Sequence, residues 1–226
     1  MVALAAPADG RPHVSIGMLG YGFMGRAHSN AFRSMPLNLW TGGVVPDLSV
    51  VAGRTESAVA EAATRYGFTA YSTDWHDIVD DASIRVFDNV GPDDAHVEPT
   101  LAAIAAGKDV ICEKPLSWSQ EEANELATAA ERAGVKSLTC FNYRFVPAVR
   151  LARDLVRDGA LGEVFTASFR YAQDWRTDST AWLPTRSGAL NVIGCHAIDL
   201  AHFIVGDIAD VSGVISAPVT DESRGE

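Results

Sequence analysis

The feature that most constrains the fold is a G-x-G-x-x-G run, formed by Gly20, Gly22 and Gly25, which directly follows an apolar segment at residues 14–19. A helical pattern begins within the run, so the glycines join a predicted strand to a predicted helix. In that context the first glycine permits a tight turn, the second lets backbone approach a pyrophosphate, and the third lets the helix pack on the strand. The run therefore predicts a dinucleotide-binding loop, with a glycine turn in another kind of α/β protein as the alternative.

Short apolar runs and helical patterns alternate from residue 14 to about residue 141. This alternation is typical of βαβ units, whose strands form a parallel sheet. Ser119 and Glu122 have the spacing of a capping box and mark one helix start. The pattern predicts strands at residues 14–19, 48–52, 70–71, 84–90, 109–112 and 137–141, and helices from the glycine run to about residue 34 and at residues 56–66, 74–79, 93–106 and 119–133.

The character of the chain changes after residue 142, where two amphipathic helical patterns alternate with two strand-like runs. The helices are predicted at residues 146–157 and 190–205, and the strands at residues 164–173 and 208–216. We therefore predict an α/β chain. It has a doubly wound parallel Rossmann sheet over residues 13–142, an incomplete α+β substrate domain with a mostly antiparallel sheet over residues 143–217, and loose termini at residues 1–12 and 218–226.

Composition excludes several classes of partner and site. The net charge of −11 argues against nucleic acids and anionic membrane surfaces, because polyanions attract basic proteins. No apolar run is long enough to cross a bilayer, and the first residues lack the basic segment of a signal peptide. Cys112, Cys140 and Cys195 are too widely spaced for a disulfide framework or a zinc cluster. We therefore predict a cytoplasmic protein without a metal.

The second predicted strand should end where the ribose of the nucleotide binds. An acidic residue there would bind the 2′-hydroxyl of NAD and repel the 2′-phosphate of NADP. This chain instead has Arg54, which could pair with a 2′-phosphate. The cofactor is therefore predicted to be NAD or NADP, with a slight preference for NADP. The alternative is that Arg54 lies on the solvent face and does not contact the nucleotide.

A lysine follows the fifth predicted strand, within the tripeptide Glu113, Lys114 and Pro115. This tripeptide and the glycine run, together with residues 142–145 and 188–199, resemble motifs of the glucose–fructose oxidoreductase, inositol dehydrogenase and MocA-type family of sugar dehydrogenases. The resemblance extends from about residue 14 to residue 216, and residues 170–175 are most similar to the levoglucosan-dehydrogenase-like branch. It implies a dehydrogenase that uses NAD(P) and acts on a hydroxyl group of a sugar, an anhydrosugar or a polyol.

The resemblance also implies roles for individual residues. Lys114 would lie beside the nicotinamide and steady a developing alkoxide, which suits a lysine whose pKa is lowered by partial burial. His196 would be the base that takes the hydroxyl proton. Asp199, three residues later, could orient the imidazole or bind a substrate hydroxyl. The alternatives are a solvated turn lysine and a histidine that is buried in the core or at an interface.

Contacts with both ligands follow from the same resemblance. The substrate is predicted to contact Tyr143, Arg144, Gln173 and Trp175, although Arg144 and Trp175 could simply pack between the domains. Two copies of the chain would pair through the antiparallel sheet. The cofactor is predicted to contact Gly20, Gly22, Phe23, Met24, Gly25, Arg54, Gly91, Pro92, His96, Glu113 and Lys114.

Three departures from the family pattern support an alternative function. Val192 stands where many members have an aspartate, and Gly91 stands where a threonine usually precedes the proline. The second domain of the family also usually continues well past residue 226. These departures favour a dinucleotide-binding protein without turnover, such as a sensor. An NAD-dependent glycosidase would use the same fold and the same lysine, and the sequence alone leaves it open.

Overall fold

The computed structural model describes residues 10–38, 43–172 and 190–213, and every statement about structure below concerns these residues. Residue contacts divide the chain into two units. The first contains residues 1–141 and 175–192, and the second contains residues 142–174 and 193–226. The sequence pattern also predicts a division near residue 142, and the assignment of residues 13–142 and 143–217 to two domains stays a prediction. The termini, predicted to be loose, fall for the most part outside the described residues.

The first unit contains a six-stranded sheet in which every neighbouring pair is parallel. In spatial order the strands are β3-β2-β1-β4-β5-β6, so the direction of winding reverses between β1 and β4. Ligands of such sheets bind at this reversal, beyond the carboxyl ends of the strands. The predicted parallel Rossmann sheet is confirmed. The strands are β1 (His13–Leu19), β2 (Val45–Ala52), β3 (Ala70–Ser72), β4 (Val86–Asn89), β5 (Asp109–Cys112) and β6 (Ser137–Thr139).

Helices connect these strands at nearly the predicted positions. The first helix continues past the predicted end near residue 34, and it contains Pro36 in its last turn. Two of the helices end at glycines with a positive φ, Gly67 at 89° and Gly134 at 67°, as helix C-termini commonly do. The helices of the first unit are α1 (Phe23–Asn38), α2 (Glu56–Tyr66), α3 (His76–Asp80), α4 (Val97–Ala105) and α5 (Gln120–Ala133).

The core of the first unit consists of two apolar clusters. Side chains alternate in direction along β1, so Ile16 and Met18 belong to one cluster and Leu19 to the other. Phe87 on β4 and Met18 are both fully buried. The last residues of β1, β2 and β4 are buried, as expected where both faces of a parallel sheet are covered. The carboxyl ends of the central strands are therefore held in place by a core on both faces of the sheet.

The second unit is helical in the residues described. A 3₁₀ turn (Asn142–Phe145) leads into α6 (Pro147–Arg157), and a π-helical turn (Leu190–Gly194) leads into α7 (Cys195–Val205). The antiparallel sheet predicted here is not present in the described residues, and the sheet that is present is wholly parallel. Residues 164–172 and 208–213 form no strand. An alternating pattern predicts one apolar face, but a strand also needs a neighbour to pair with. Within the described residues, no helix has both the length and the hydrophobicity needed to cross a membrane.

Candidate active site

The glycine run lies at the end of β1, where the chain turns into α1. Gly20 has a φ of 104°, and its N–H donates to the carbonyl oxygen of Ala52 at 2.9 Å. A Cβ at Gly20 would lie 2.6 Å from the carbonyl oxygen of Val90, and a Cβ at Gly25 would lie 2.7 Å from the carbonyl oxygen of Gly20. Both positions therefore require glycine, as a tight turn and a closely packed helix demand.

Gly22 borders open space, because a Cβ placed there would meet no atom within 4 Å. This space belongs to a groove of about 630 Å³ at the carboxyl ends of β1, β2 and β4. An exposed backbone loop at a helix N-terminus is what a pyrophosphate needs, so the residues present fit a dinucleotide. The predicted cofactor contacts that line the groove are Gly20, Gly22, Phe23, Met24, Arg54, Gly91 and Pro92.

Two aromatic side chains of the groove were missed by sequence reasoning. Tyr21 packs on Gly53, where a Cβ would lie 2.1 Å from a ring carbon of the tyrosine. The carbonyl oxygen of Tyr21 accepts a hydrogen bond of 2.9 Å from the hydroxyl of Tyr66. Trp75 also lines the groove, and its ring stacks on His76 with centroids 3.7 Å apart. The sequence signal for the tyrosine contact is Gly53, immediately before Arg54, because only glycine leaves room there for the ring of Tyr21.

The loop after β4 is held by buried polar side chains. The amide of Asn89 donates to the carbonyl oxygen of Ala95 at 2.9 Å, and its carbonyl oxygen accepts from the N–H of Gly91 at 3.2 Å. His96 is fully buried. Its ring nitrogens lie 3.2 Å from the carbonyl oxygen of Gly91 and 2.7 Å from that of Pro115. The imidazole thus ties the loop after β4 to the turn after β5.

Lys114 lies in that turn, and the peptide bond between it and Pro115 is cis. The backbone N–H of Glu113 donates to the carbonyl oxygen of Asn89 at 2.9 Å, which continues the β4–β5 pairing into the turn. The Glu113 carboxylate accepts the N–H of Lys114 at 3.0 Å. Glu113 is 6% exposed, so a buried carboxylate fixes the backbone of the half-buried lysine.

A histidine of α1 stands behind this carboxylate, and its role was not assigned from the sequence. The Nε2 atom of His28 lies 3.1 Å from an oxygen of Glu113, and its Nδ1 atom lies 3.0 Å from the nearer oxygen of Asp88. Asp88 is fully buried on β4. The atoms of His28, Glu113 and Cys140 that could coordinate a metal ion all lie within 4.8 Å of one another. This group of four side chains is called the His28 cluster below.

The imidazole of His28 is protonated, while burial raises the pKa of the Asp88 carboxyl group that it faces. Burial lowers the pKa of His28, but hydrogen bonds with Asp88, Cys140 and Glu113 outweigh it and raise that pKa from 6.5 to about 12. Burial raises the pKa of the Cys140 thiol, so this sulfur stays protonated. The imidazolium is therefore the form that donates to both carboxylates at neutral pH.

His196 lies on α7 in the second unit, and it is 9% exposed. The ring of Tyr171 stacks on its imidazole with centroids 5.6 Å apart, and the ring of Tyr143 meets it edge-on at 4.9 Å. The hydroxyl groups of the two tyrosines lie 2.7 Å apart. Tyr171 was not predicted, although it falls inside the residues that carry the family resemblance. The structure thus brings predicted residues Tyr143 and His196 together.

Asp199, predicted as a catalytic residue, and Arg144, predicted as a substrate contact, bind each other. The guanidinium contacts both carboxylate oxygens, with Nε 3.0 Å from each and Nη2 2.5 Å from Oδ1. The Asp199 side chain is only 6% exposed, and the guanidinium also lies over the ring of Phe203 at 5.2 Å. This bidentate pair fastens the 3₁₀ turn that carries Tyr143 to the helix that carries His196.

Some predicted residues are not brought into either arrangement. Gln173 and Trp175 lie outside the described residues. Val192 lies in the π-helical turn that precedes α7. Lys114 lies in the first unit and His196 in the second.

Comparison with known proteins identifies relatives of both units. A model of an oxidoreductase family with an NAD-binding Rossmann fold matches residues 14–141, and a model of the GFO/IDH/MocA C-terminal domain matches residues 149–225. Levoglucosan dehydrogenase of Pseudarthrobacter phenanthrenivorans is 38% identical over 211 residues, which are 90% of this chain and 54% of that protein. An inositol 2-dehydrogenase/D-chiro-inositol 3-dehydrogenase of Lactiplantibacillus plantarum is 27% identical, over 86% of this chain and 53% of that protein.

Solved structures give the same result. Levoglucosan dehydrogenase in complex with NADH and L-sorbose superposes with a TM-score of 0.81 at 39% identity, over 87% of this chain and 54% of that one. An oxidoreductase domain protein from Kribbella flavida superposes with a TM-score of 0.77 at 41% identity, over 86% and 54% of the two chains. The chain spans about half the length of the relatives it matches. Since one family model alone matches residues 14–141 of the 226, the chain belongs to the GFO/IDH/MocA oxidoreductase family, and its first unit is an NAD-binding Rossmann fold.

Proposed function

We propose that this chain acts as an NAD-dependent dehydrogenase, and that its reaction oxidises a hydroxyl group of a sugar, an anhydrosugar or a polyol. The observation that carries the proposal is the pairing of two features at one edge of the sheet. These are a groove that fits a dinucleotide and a lysine held on the adjoining turn by a buried carboxylate. The bound nicotinamide would supply hydride acceptance, and the side chains would supply proton handling and orientation.

Lys114 is proposed to steady the charge that develops on the substrate oxygen. Its backbone is fixed by Glu113 and by the cis bond to Pro115, while its side chain remains half-buried. A fixed ammonium group stabilises a developing alkoxide without reorganising at the moment of reaction. Glu113 itself belongs to the His28 cluster, so its proposed contribution to the cofactor site is to shape the turn.

His196 is proposed to accept the hydroxyl proton. The two flanking tyrosines restrict its ring to one orientation, which a general base requires. Asp199 and Arg144 are occupied with each other, so we propose that they position the tyrosine and the histidine. Substrate contacts at Tyr143, Arg144, Gln173 and Trp175 remain part of the proposal.

The cofactor is proposed to be NAD, because the family model is NAD-binding and the levoglucosan dehydrogenase structure contains NADH. Arg54 lies on the groove, where a 2′-phosphate could reach it. The slight preference for NADP predicted from this residue stays a prediction, and the titration below tests it.

Three finer points accompany the proposal. An anhydrosugar substrate is favoured by the 38% identity to levoglucosan dehydrogenase. A cytoplasmic location is supported by the free thiols of Cys112 and Cys140. Pairing of two copies through the antiparallel sheet stays a prediction, and size-exclusion mass determination on the sample used for the cofactor titration tests it.

The deciding experiment is a titration of the chain with NADH and NADPH, followed by an assay with levoglucosan and inositol. We expect NADH to bind, and we expect Lys114→Ala to lower turnover at least about 100-fold while leaving NADH affinity within about threefold. Binding without turnover on any sugar or polyol would overturn the enzymatic proposal and favour a nucleotide sensor. Release of a leaving group with no net change in NADH absorbance would instead indicate a glycosidase.

A further inference from the structure

The His28 cluster lies outside the dinucleotide groove, and its charged side chains are buried at the carboxyl edge of the first unit's sheet. The side chains of His28, Asp88 and Glu113 are 16%, 0% and 8% exposed. Three other histidine–aspartate pairs of the described residues, His13 with Asp47, His76 with Asp74 and His202 with Asp207, have side-chain exposures between 51% and 98%. Burying charges is costly, and the cost is recovered only when every charge is paired and hydrogen-bonded. The burial of these charged side chains therefore indicates a structural or functional role for the His28 cluster.

The cluster connects three elements that meet at the site. His28 is on α1, whose first turn borders the groove, while Asp88 lies on β4 and Glu113 follows β5. One carboxylate oxygen of Glu113 accepts a hydrogen bond from Nε2 of His28, and the other accepts one from the backbone N–H of Lys114. The contact with His28 therefore holds the Glu113 carboxylate in place, and the carboxylate in turn holds the backbone N–H of Lys114.

We propose that His28 is a positioning residue: by holding the Glu113 carboxylate it holds the Lys114 backbone, and so it links the cofactor helix to the lysine that faces the substrate. Without the imidazole, Glu113 would be a buried carboxylate lacking its cationic partner. It would rotate toward water or take up a proton, and either change weakens its hydrogen bond to the lysine amide. Only the effect on catalysis rests on the proposed function. The hydrogen-bonded relay from His28 through Glu113 to the Lys114 N–H is present in the chain without ligands.

The contacts favour a hydrogen-bonded relay over a metal site, although His28, Glu113 and Cys140 are close enough to share an ion. Both ring nitrogens of His28 face carboxylate oxygens at 3.0 to 3.1 Å, which are ordinary hydrogen-bond distances. A metal on Nε2 would displace the proton that now bridges to Glu113. The two arrangements therefore predict opposite responses to a chelator.

The test uses the fact that the chain has three lysines, Lys108, Lys114 and Lys136. Labelling with ¹⁵N-lysine gives three backbone amide signals, and that of Lys114 reports its hydrogen bond to Glu113 directly. The N–H of Lys136 donates to Asp109 at 2.9 Å and is a matched internal reference. We expect His28→Leu to move the Lys114 signal upfield by several tenths of a part per million in the proton dimension, with the other two signals unmoved.

Three further variants keep the experiment decisive. His28→Gln places an amide donor where Nε2 lies, so we expect it to restore most of the Lys114 shift. His76→Ala removes an exposed imidazole beside Asp74 and should leave all three signals in place. If His28→Leu fails to fold, Glu113→Gln tests the same relay by weakening the acceptor. An unmoved Lys114 signal in a folded His28→Leu or Glu113→Gln chain would overturn the proposal, as would a wild-type signal that moves on addition of a chelator.

Kinetics then test the consequence for catalysis separately. We expect His28→Leu to lower kcat about 10- to 100-fold while NADH affinity changes less than about threefold, since misplacing a catalytic group affects the chemical step. In a Lys114→Ala background the same substitution should lower kcat no further. An independent loss in that background would overturn the relay. A chain that binds NADH but never turns over would contradict the proposed function alone, because the amide signal would still report the relay.

Discussion

At the residue scale, the glycines of the loop separate folding from binding. Gly20 combines a φ of 104° with a backbone oxygen 2.6 Å from any added Cβ, whereas Gly22 has neither constraint. The two positions look equivalent in the sequence motif, but the structure shows that they have different roles. Gly20 permits the turn, and Gly22 keeps the groove open for the phosphates.

Alanine substitutions should therefore have opposite consequences. We expect Gly20→Ala to lower the free energy of unfolding by roughly 2–4 kcal/mol, because strain and a backbone clash act together. We expect Gly22→Ala to change it by less than about 0.5 kcal/mol but to weaken NADH binding at least tenfold, because the new methyl group occupies phosphate space. Urea denaturation and NADH fluorescence measure the two effects. Equal loss of stability in both variants would contradict this division.

Residue-level reasoning from sequence found the loop but missed the His28 cluster, and the reason is distance along the chain. The glycines act within six consecutive residues, so their spacing is a local signal. His28 contacts residues that are 60 and 85 positions away. Nothing in the local pattern of any one residue indicates that α1, β4 and β5 converge there. Only the order of strands in the sheet brings the three side chains together.

At the element scale, helix ends offer a matched pair of tests. Ser119 caps α5, and its hydroxyl oxygen accepts the N–H of Glu122 at 3.1 Å. Thr55 precedes α2 in the same N-cap position but makes no side-chain cap bond. We expect Ser119→Ala to lower the free energy of unfolding by about 1 kcal/mol and Thr55→Ala by a few tenths. Denaturation followed by circular dichroism gives both values, and equal losses would show that the cap bond is not responsible.

The same scale shows why the sequence predicted the parallel sheet correctly, while the antiparallel sheet is not present in the described residues. The strands of the first unit are apolar runs separated by helices, and that order is enough to predict a parallel arrangement. Residues 164–173 alternate as a half-buried strand would, but alternation records only which side is apolar. Phe165, on this segment, is 88% exposed. A strand also needs a neighbour, and no local pattern states whether one is present.

At the scale of the whole molecule, the two units differ in how much they bury. Every residue of the two apolar clusters lies between positions 14 and 135, within the first unit. In the second unit α6 has no buried residue, and the buried polar groups of α7 are His196 and Asp199. A chain with this distribution should not open as one body, because local stability follows the number of buried apolar contacts.

Hydrogen exchange can measure this difference directly. We expect the amides of β4 to exchange at least about 100-fold more slowly than those of α6, because opening α6 exposes no core. Arg144→Ala removes the contact between the 3₁₀ turn and α7, so it should speed exchange in α7 while leaving β4 unchanged. NADH should slow exchange at residues 20–25 and leave α6 as it was. Equal protection of β4 and α6 would show that the chain unfolds as a single cooperative unit, and the lysine and the histidine would then depend on one shared stability.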